Sequence, residues 1–299
     1  MPNQKKAYLF AILAVICWST VATAFKIALK NCDFLQLLFF SSLVSCLVLF
    51  LILVFQRKLF LIRNMRLSSL LQSIFLGFLN PFLYYTILFK AYSILPAQEA
   101  MTLNYTWPVM LVLLAIPLLK QSLSLKSMLA VFISFTGIFI ISTKGHPMEF
   151  NFSNAFGDGL AIGSSVIWAL FWIYNIKDKK DDVVKLFLNF LSGCIFSGIL
   201  MLLFSDFSEF NFTALPAIIY IGIFEMSVTF VFWLSALKYT KSADKVSQLI
   251  FFSPFLSLIF IHFIIGENIS ASTLIGLFFI TLGIIIQQSS LKLFQRKQK

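Results

Sequence analysis

Runs of about 20 apolar residues recur along the whole chain, and each is long enough to cross roughly 30 Å of hydrocarbon as a helix. The chain is 60% hydrophobic and only 12% charged over 299 residues, so few polar side chains interrupt these runs. The sequence therefore predicts an all-α polytopic membrane protein without a separate soluble domain. Ten transmembrane helices are expected, at residues 8–29, 35–56, 68–90, 97–118, 124–143, 157–177, 185–204, 214–237, 243–265 and 271–290.

Basic residues are distributed unequally between the two sets of loops. With a cytoplasmic N-terminus, 19 of the 23 basic residues lie on the inner side, and Lys26, Lys30, Lys90 and Lys144 lie at or near outer helix ends. This bias follows the positive-inside rule and predicts a multi-pass protein of the cell (inner) membrane with both termini in the cytoplasm. The same loops account for the net charge of +11, because they face anionic lipids and leave no basic face for nucleic acid.

The two halves of the chain resemble each other at a nearly constant offset. Pro108 matches Pro254 at an offset of 146, and Trp18 matches Trp168 at an offset of 150. Five helices per half is an odd number, so the second half must enter the membrane inverted relative to the first. We expect two inverted five-helix repeats, at 8–143 and 157–290, with a substrate site near the bilayer midplane where the repeats meet.

Polar residues occupy matching positions in the third and eighth spans. Asn80 and Tyr84 are four residues apart in one, and Glu225 and Thr229 occupy the corresponding places in the other. We interpret all four as candidate site residues. A carboxyl group near the bilayer centre is costly unless it is protonated, paired or hydrated, so Glu225 is a candidate coupling residue. The alternative is a protonated Glu225 that only hydrogen-bonds to a neighbouring helix.

The segment "NYTWP", at residues 104–108, predicts a break in the fourth span. Pro108 has no N–H to bond to the carbonyl of Asn104, and Pro254 has the same effect in the ninth span. Two broken helices are therefore expected to meet near the midplane.

On a regular helix, Asn104 and Trp107 share a face and are predicted to line a cavity there. Tyr105 points about 200° away from Trp107 and is a weaker candidate. The alternative is that Trp107 packs against a neighbouring helix and the proline only bends the span. Trp18 and Trp168 lie well inside their spans, where they either pack between helices or line the same cavity.

Several segments resemble the EamA family of the drug/metabolite transporter superfamily. They are "AVICWSTVATAFK" in the first span, "GDGLAIGSSVIWAL" in the sixth and the Gly-Glu-x-x-Ser pattern at residues 266–270. "NYTWP" and "CWST" are similar to the aromatic amino-acid exporter branch. One departure is Lys120-Gln121, where the family usually has Gly-Glu. The resemblance implies a secondary transporter that exports amino acids or related small metabolites by alternating access.

Three other functions remain as alternatives. They are a carrier for uptake of a metabolite such as a nucleotide derivative, a membrane-embedded enzyme, and a channel. The sequence shows no metal-ligand cluster, nucleophile motif or phosphate-binding loop, so we expect neither an enzyme nor a metal or cofactor. The expected partners are a small-molecule substrate and the lipid bilayer, with protons as a candidate coupling ion. No sequence feature indicates an oligomeric state.

Overall fold

The computed structural model describes residues 3–63, 65–119, 125–146, 154–206, 210–240, 246 and 248–297, and none of these residues belongs to a strand. A four-residue helix, Phe60–Arg63, lies between the second and third long helices. The long helices are α1 Gln4–Leu29, α2 Phe34–Phe55, α3 Leu67–Ile94, α4 Ala97–Asn104 continued by Trp107–Leu119, α5 Leu125–Ser142, α6 Ala155–Asn175, α7 Asp182–Phe204, α8 Phe212–Tyr239, α9 Gln248–Ile265 and α10 Ala271–Lys297.

Within the described part of the chain, the nine helices α1 to α9 are long and apolar enough to cross a bilayer. The corresponding apolar part of α10, Ala271–Ile286, is shorter. Large apolar side chains are exposed on the outer surface, with Leu202 71% and Phe204 72% exposed, as expected where lipid replaces water. The predicted all-α polytopic membrane fold is confirmed. The predicted start of the ninth span, at residue 243, and the Lys120-Gln121 departure lie outside the described residues.

Polar side chains cap the first turns of several helices. Asp33 accepts hydrogen bonds from the N–H groups of Leu35 and Gln36, and the Gln36 side chain bonds back to the N–H of Asp33. Asn154 caps α6 and Asp181 caps α7 through their side-chain oxygens. Because such a cap contributes about 1 kcal/mol, these residues help to fix where each span begins.

Three helices are interrupted within the membrane-spanning region, and a fourth begins with a 3-10 turn. α3 contains a π-helical segment at Phe78–Leu83 and α8 contains one at Ile221–Val228. α4 is divided by a turn at residues 105–106, and α9 begins with a 3-10 turn at Gln248–Phe251. Interrupted backbone at membrane depth is tolerated where protein or a cavity satisfies its polar groups, so these four helices indicate where a site can lie.

The pattern of helix contacts is repeated when the first five helices are exchanged with the last five. α1 packs against α8 and α9, and its counterpart α6 packs against α3 and α4. α2 packs against α7 and α8, α7 packs against α2 and α3, and α5 packs against α10. This arrangement leaves α1, α3, α4, α6, α8 and α9 around the centre of the molecule.

The pair formed by α5 and α10 relies on small residues for its close approach. A Cβ atom on Gly137 would lie 2.5 Å from the carbonyl oxygen of Gly276, and one on Gly276 would lie 2.7 Å from the carbonyl oxygen of Gly137. A larger residue at either position would force the two backbones apart.

Candidate functional site

A cavity of about 440 Å³ lies between the central helices. It extends from Tyr92 and Met101, near one end of α3 and α4, to Ile176 and Leu237, at the opposite ends of α6 and α8. Tyr92 is 3% exposed whereas Ile176 is 75% exposed. The cavity is thus deep in the protein at one end and reaches exposed residues at the other.

Nine of the eleven predicted site residues line this cavity. They come from six different helices, α1, α3, α4, α6, α8 and α9, so the fold brings together residues that are far apart in the sequence. The nine are Trp18, Tyr84, Asn104, Tyr105, Trp107, Pro108, Trp168, Glu225 and Pro254.

The two proline-broken helices contact each other at the cavity. Pro254 cannot bond to the carbonyl of Ile250, and the hydroxyl of Tyr105 donates a hydrogen bond to that same carbonyl. The turn at residues 105–106 changes the direction of the Tyr105 side chain, and this residue therefore lines the cavity together with Trp107. The regular-helix argument that separated Tyr105 from Trp107 does not hold in α4.

Asn104 joins three helices through its side chain. Its Nδ2 donates to Ser164 Oγ of α6 at 2.8 Å, and its Oδ1 accepts from the hydroxyl of Tyr84 of α3 at 3.2 Å. Close to this bond, the hydroxyls of Thr106 of the α4 turn and Ser165 of α6 are 3.0 Å apart. These bonds hold the broken part of α4 against α6, so Asn104 lines the cavity with both ends of its amide already engaged.

Glu225 lies midway along α8, in its π-helical segment, and is 6% exposed. Its Oε1 accepts a hydrogen bond of 2.8 Å from the hydroxyl of Tyr85. Its other oxygen, Oε2, is buried without a hydrogen-bond partner among the described residues. A carboxyl oxygen left in this state is costly, so the site favours a proton or a donor group from a bound molecule at this position.

Asn80 and Thr229 do not line the cavity. Asn80 is fully buried, and its extended backbone (φ −147°, ψ 121°) before Pro81 interrupts α3, so it no longer shares a helix face with Tyr84. Thr229 is also fully buried, and its hydroxyl donates to the carbonyl of Phe224 within the α8 π-helical segment. The expectation that they share a helix face with Tyr84 and Glu225 assumed regular helices, which α3 and α8 are not, and a substrate-contacting role for Asn80 and Thr229 stays a prediction.

Several lining residues were not predicted as site residues. Trp172 and Trp233 complete a set in which all five tryptophans of the chain line the cavity. Trp172 lies one helical turn after Trp168, a spacing that places both on one face of α6 and was visible in the sequence. Trp233, whose ring centroid is 5.4 Å from that of Trp18, is brought to the site only by the packing of α8 against α1.

The deep end of the cavity is closed by hydrogen bonds between the two halves of the chain. The carboxylate of Glu267 accepts the N–H groups of Ala97 at 2.9 Å and Gln98 at 3.3 Å, which are the first residues of α4. The Gln98 side chain donates to the carbonyl of Asn268 and accepts the N–H of Ser270, both at 2.9 Å. We call these five residues the clasp. A carboxylate at a helix N-terminus is stabilised by the free N–H groups and by the helix dipole.

Among the described residues, no group of three His, Cys, Asp or Glu side chains could hold a metal ion. The only ionisable carboxylate on the described cavity wall is Glu225, and no Lys, Arg or His belongs to that wall. Proton transfer at Glu225 and binding through aromatic rings are thus the chemistry that this surface offers.

Interrupted helices that meet around a membrane-depth cavity are typical of secondary transporters. The sequence profile of the EamA-like transporter family matches residues 5–143 and 155–287, and the chain belongs to this family. An uncharacterized transporter of Clostridium kluyveri is 26% identical over 304 residues, covering 97% of this chain and 95% of that protein. One from Archaeoglobus fulgidus is 27% identical over 277 residues, covering 91% and 94%.

Two further comparisons agree with this assignment. The uncharacterized transporter YoaV of Bacillus subtilis is 23% identical over 293 residues, covering 94% of this chain and 96% of YoaV. A crystal structure with a TM-score of 0.68 covers 99% of this chain and 100% of its own, at 19% identity. The structural match supports the fold alone.

Proposed function

We propose that this protein is a secondary transporter that exports amino acids or related small metabolites across the cell membrane by alternating access. The observation that carries the proposal is the cavity at the junction of the two broken helices, lined by all five tryptophans and by Glu225. Its volume of about 440 Å³ suits a small organic molecule.

Alternating access requires two gates, and the clasp is our candidate for one of them. We place the clasp on the outside of the cell and the Ile176 end of the cavity in the cytoplasm, as the distribution of basic residues indicates. The structure then corresponds to a state that is closed to the outside, and export requires the hydrogen bonds of the clasp to break.

The two halves, 8–143 and 157–290, act in this proposal as inverted repeats that rock against each other around the cavity. Support comes from the exchange of helix contacts between the halves and from the location of the clasp between them. No described residue of the cavity wall carries a positive charge, so nothing favours the alternative of a nucleotide-derivative carrier.

A counterflow assay tests the proposal. Vesicles that contain the purified protein and a high internal concentration of one unlabelled compound are given a trace of the same compound in radioactive form. A panel of amino acids, amines and nucleotides supplies the compounds. Transient accumulation of label that saturates with concentration is the expected result, whereas a new chemical product would identify an enzyme and ion current would identify a channel.

Trp107 provides the matched variants for this assay. We expect Trp107→Ala to weaken the apparent affinity for the substrate roughly tenfold or more, because a large aromatic contact is lost. Trp107→Phe keeps an aromatic face and should retain much of the function. Thermal unfolding of both variants controls for folding. An unchanged apparent affinity in Trp107→Ala would place the substrate elsewhere and leave Trp107 as a packing residue.

A further inference from the structure

The cavity wall combines many aromatic rings with a single carboxylate. The five tryptophans are joined there by Tyr84, whose ring centroid is 4.6 Å from that of Trp168. The faces of such rings carry negative partial charge and attract cations, most strongly in the case of tryptophan. In a pocket shielded from water, this attraction is stronger than at an exposed site.

The charged groups of the described wall point to the same kind of ligand. Glu225 is the only carboxylate, and its Oε2 has no hydrogen-bond partner there. A substrate ammonium group would supply the missing donor through a charge-assisted bond. A substrate carboxylate or phosphate would find no Lys, Arg or His on this wall and would leave its hydration uncompensated.

The neutral polar groups of the wall offer an anion no positive charge. Asn104 already uses one N–H donor on Ser164 and its oxygen on Tyr84, and the Tyr105 hydroxyl donates to the carbonyl of Ile250. Trp172 Nε1 and Ser257 Oγ have no hydrogen-bond partner among the described residues. These two neutral groups can donate to a hydroxyl or carbonyl oxygen, but they carry no charge to balance a carboxylate.

From these observations, and resting on the proposed function of the cavity as the substrate site, we infer that the substrate is a small organic monocation. It carries an ammonium group on an aromatic or apolar body and has no free carboxylate. Among the amino acids and related small metabolites of the proposed function, amines and amine derivatives are thus preferred to zwitterionic amino acids, and an anion finds no positively charged partner on the described wall.

Tryptophan fluorescence of the purified protein in nanodiscs measures this preference, since all five tryptophans line the cavity. The ligands are 2-phenylethylamine, phenylalanine, 3-phenylpropionate and 2-phenylethanol, which share a ring and differ in charge. We expect 2-phenylethylamine to bind roughly tenfold or more tightly than phenylalanine, with 3-phenylpropionate weakest.

Two variants test whether the Glu225 carboxylate causes the preference for the ammonium ligand. Glu225→Gln should lower the affinity for 2-phenylethylamine roughly tenfold and leave that for 2-phenylethanol unchanged. Glu99→Gln removes a carboxylate that is equally buried, at 5% exposure, but does not line the cavity, so it should preserve the ratio of the two affinities.

The outcomes separate the inference from the proposed function. The monocation inference would be overturned, with the cavity kept as the site, if phenylalanine bound as tightly as 2-phenylethylamine. The same would follow if Glu225→Gln lowered the affinities for 2-phenylethylamine and 2-phenylethanol equally. Binding of none of the four ligands, or binding of all four unaffected by Trp107→Ala, would overturn both.

Discussion

Glu225 is the residue whose protonation or cation binding we expect to change during transport. Its Oε1 accepts a hydrogen bond from Tyr85, which is itself fully buried, and its Oε2 is buried without a hydrogen-bond partner among the described residues. The π-helical segment of α8 places this carboxyl at mid-membrane, where an uncompensated charge is costly. On the proposed mechanism, we expect the side chain to gain and lose a proton or a bound cation as the cavity changes access.

The coupling role is tested by Glu225→Gln. The amide keeps the size of the side chain and can still accept from Tyr85, but it cannot exchange a proton. We expect a pH gradient to drive no net transport in this variant, while exchange of substrate at saturating concentration persists. Both are measured in the same vesicles, with and without an imposed gradient. Undiminished proton-driven flux would make Glu225 a structural residue.

At the scale of helices, the site depends on a hydrogen bond between the broken parts of α4 and α9. Pro254 frees the carbonyl of Ile250 in α9, and Tyr105 reaches it because α4 turns at residues 105–106. A freed carbonyl in an apolar environment needs a donor, so the hydrogen bond from Tyr105 joins the two broken helices at the cavity in this conformation.

Removal of this donor should destabilise the protein. We expect Tyr105→Phe to lower the free energy of unfolding by about 1–3 kcal/mol, since a buried carbonyl loses its partner. Tyr174→Phe is the control, because the Tyr174 hydroxyl makes no hydrogen bond among the described residues. The measurement is reversible thermal or denaturant unfolding in the same detergent. Equal stabilities of the two variants would mean that another group, such as water in the cavity, satisfies Ile250.

The clasp makes a second prediction at the scale of helices. Glu267→Ala removes the acceptor of two N–H groups at the start of α4, and we expect the clasp end to open more often. A cysteine at Met101, which lines the cavity and is 8% exposed, reports this opening through its labelling rate from outside. The rate should rise roughly tenfold or more, and Glu267→Gln, which keeps one acceptor, should show a smaller rise. An unchanged rate would show that the clasp does not control access.

The helices and the breaks differ in how far they can be predicted from sequence. Apolar runs mark the spans because only a helix satisfies its own backbone in lipid, and Pro108 marks its break because it lacks an N–H. Tyr105 lines the cavity because α4 turns at residues 105–106, and Trp233 lines it because α8 packs against α1. Neither the turn nor this packing can be predicted from helical periodicity. The burial of Asn80 away from the cavity follows from the extended conformation that Pro81 favours in the preceding residue, which helical periodicity alone does not predict.

At the scale of the whole molecule, the proposal depends on which end faces the outside. The distribution of basic residues places Cys32, Lys144 and Glu267 outside, and Arg63, Asp181 and Lys241 inside; of these, Lys241 lies outside the described residues. Cys32 does not report this orientation. Its thiol is buried and donates to the carbonyl of Ala28 at 3.3 Å, and burial together with the nearby Asp33 raises the pKa of the thiol to about 12.

Because thiolate is the reactive form, Cys32 should be almost unreactive towards maleimides at neutral pH and should add little to the labelling background. Lys144 and Arg63 are both exposed, so Lys144→Cys and Arg63→Cys provide reactive positions at opposite ends of the molecule. In intact cells, we expect a membrane-impermeant maleimide to label position 144 and to label position 63 only after the membrane is permeabilised. Labelling of position 63 alone in intact cells would reverse the orientation and place the clasp in the cytoplasm. Labelling of both positions in intact cells would contradict an odd number of spans between residues 63 and 144, and with it the inverted arrangement of the two halves.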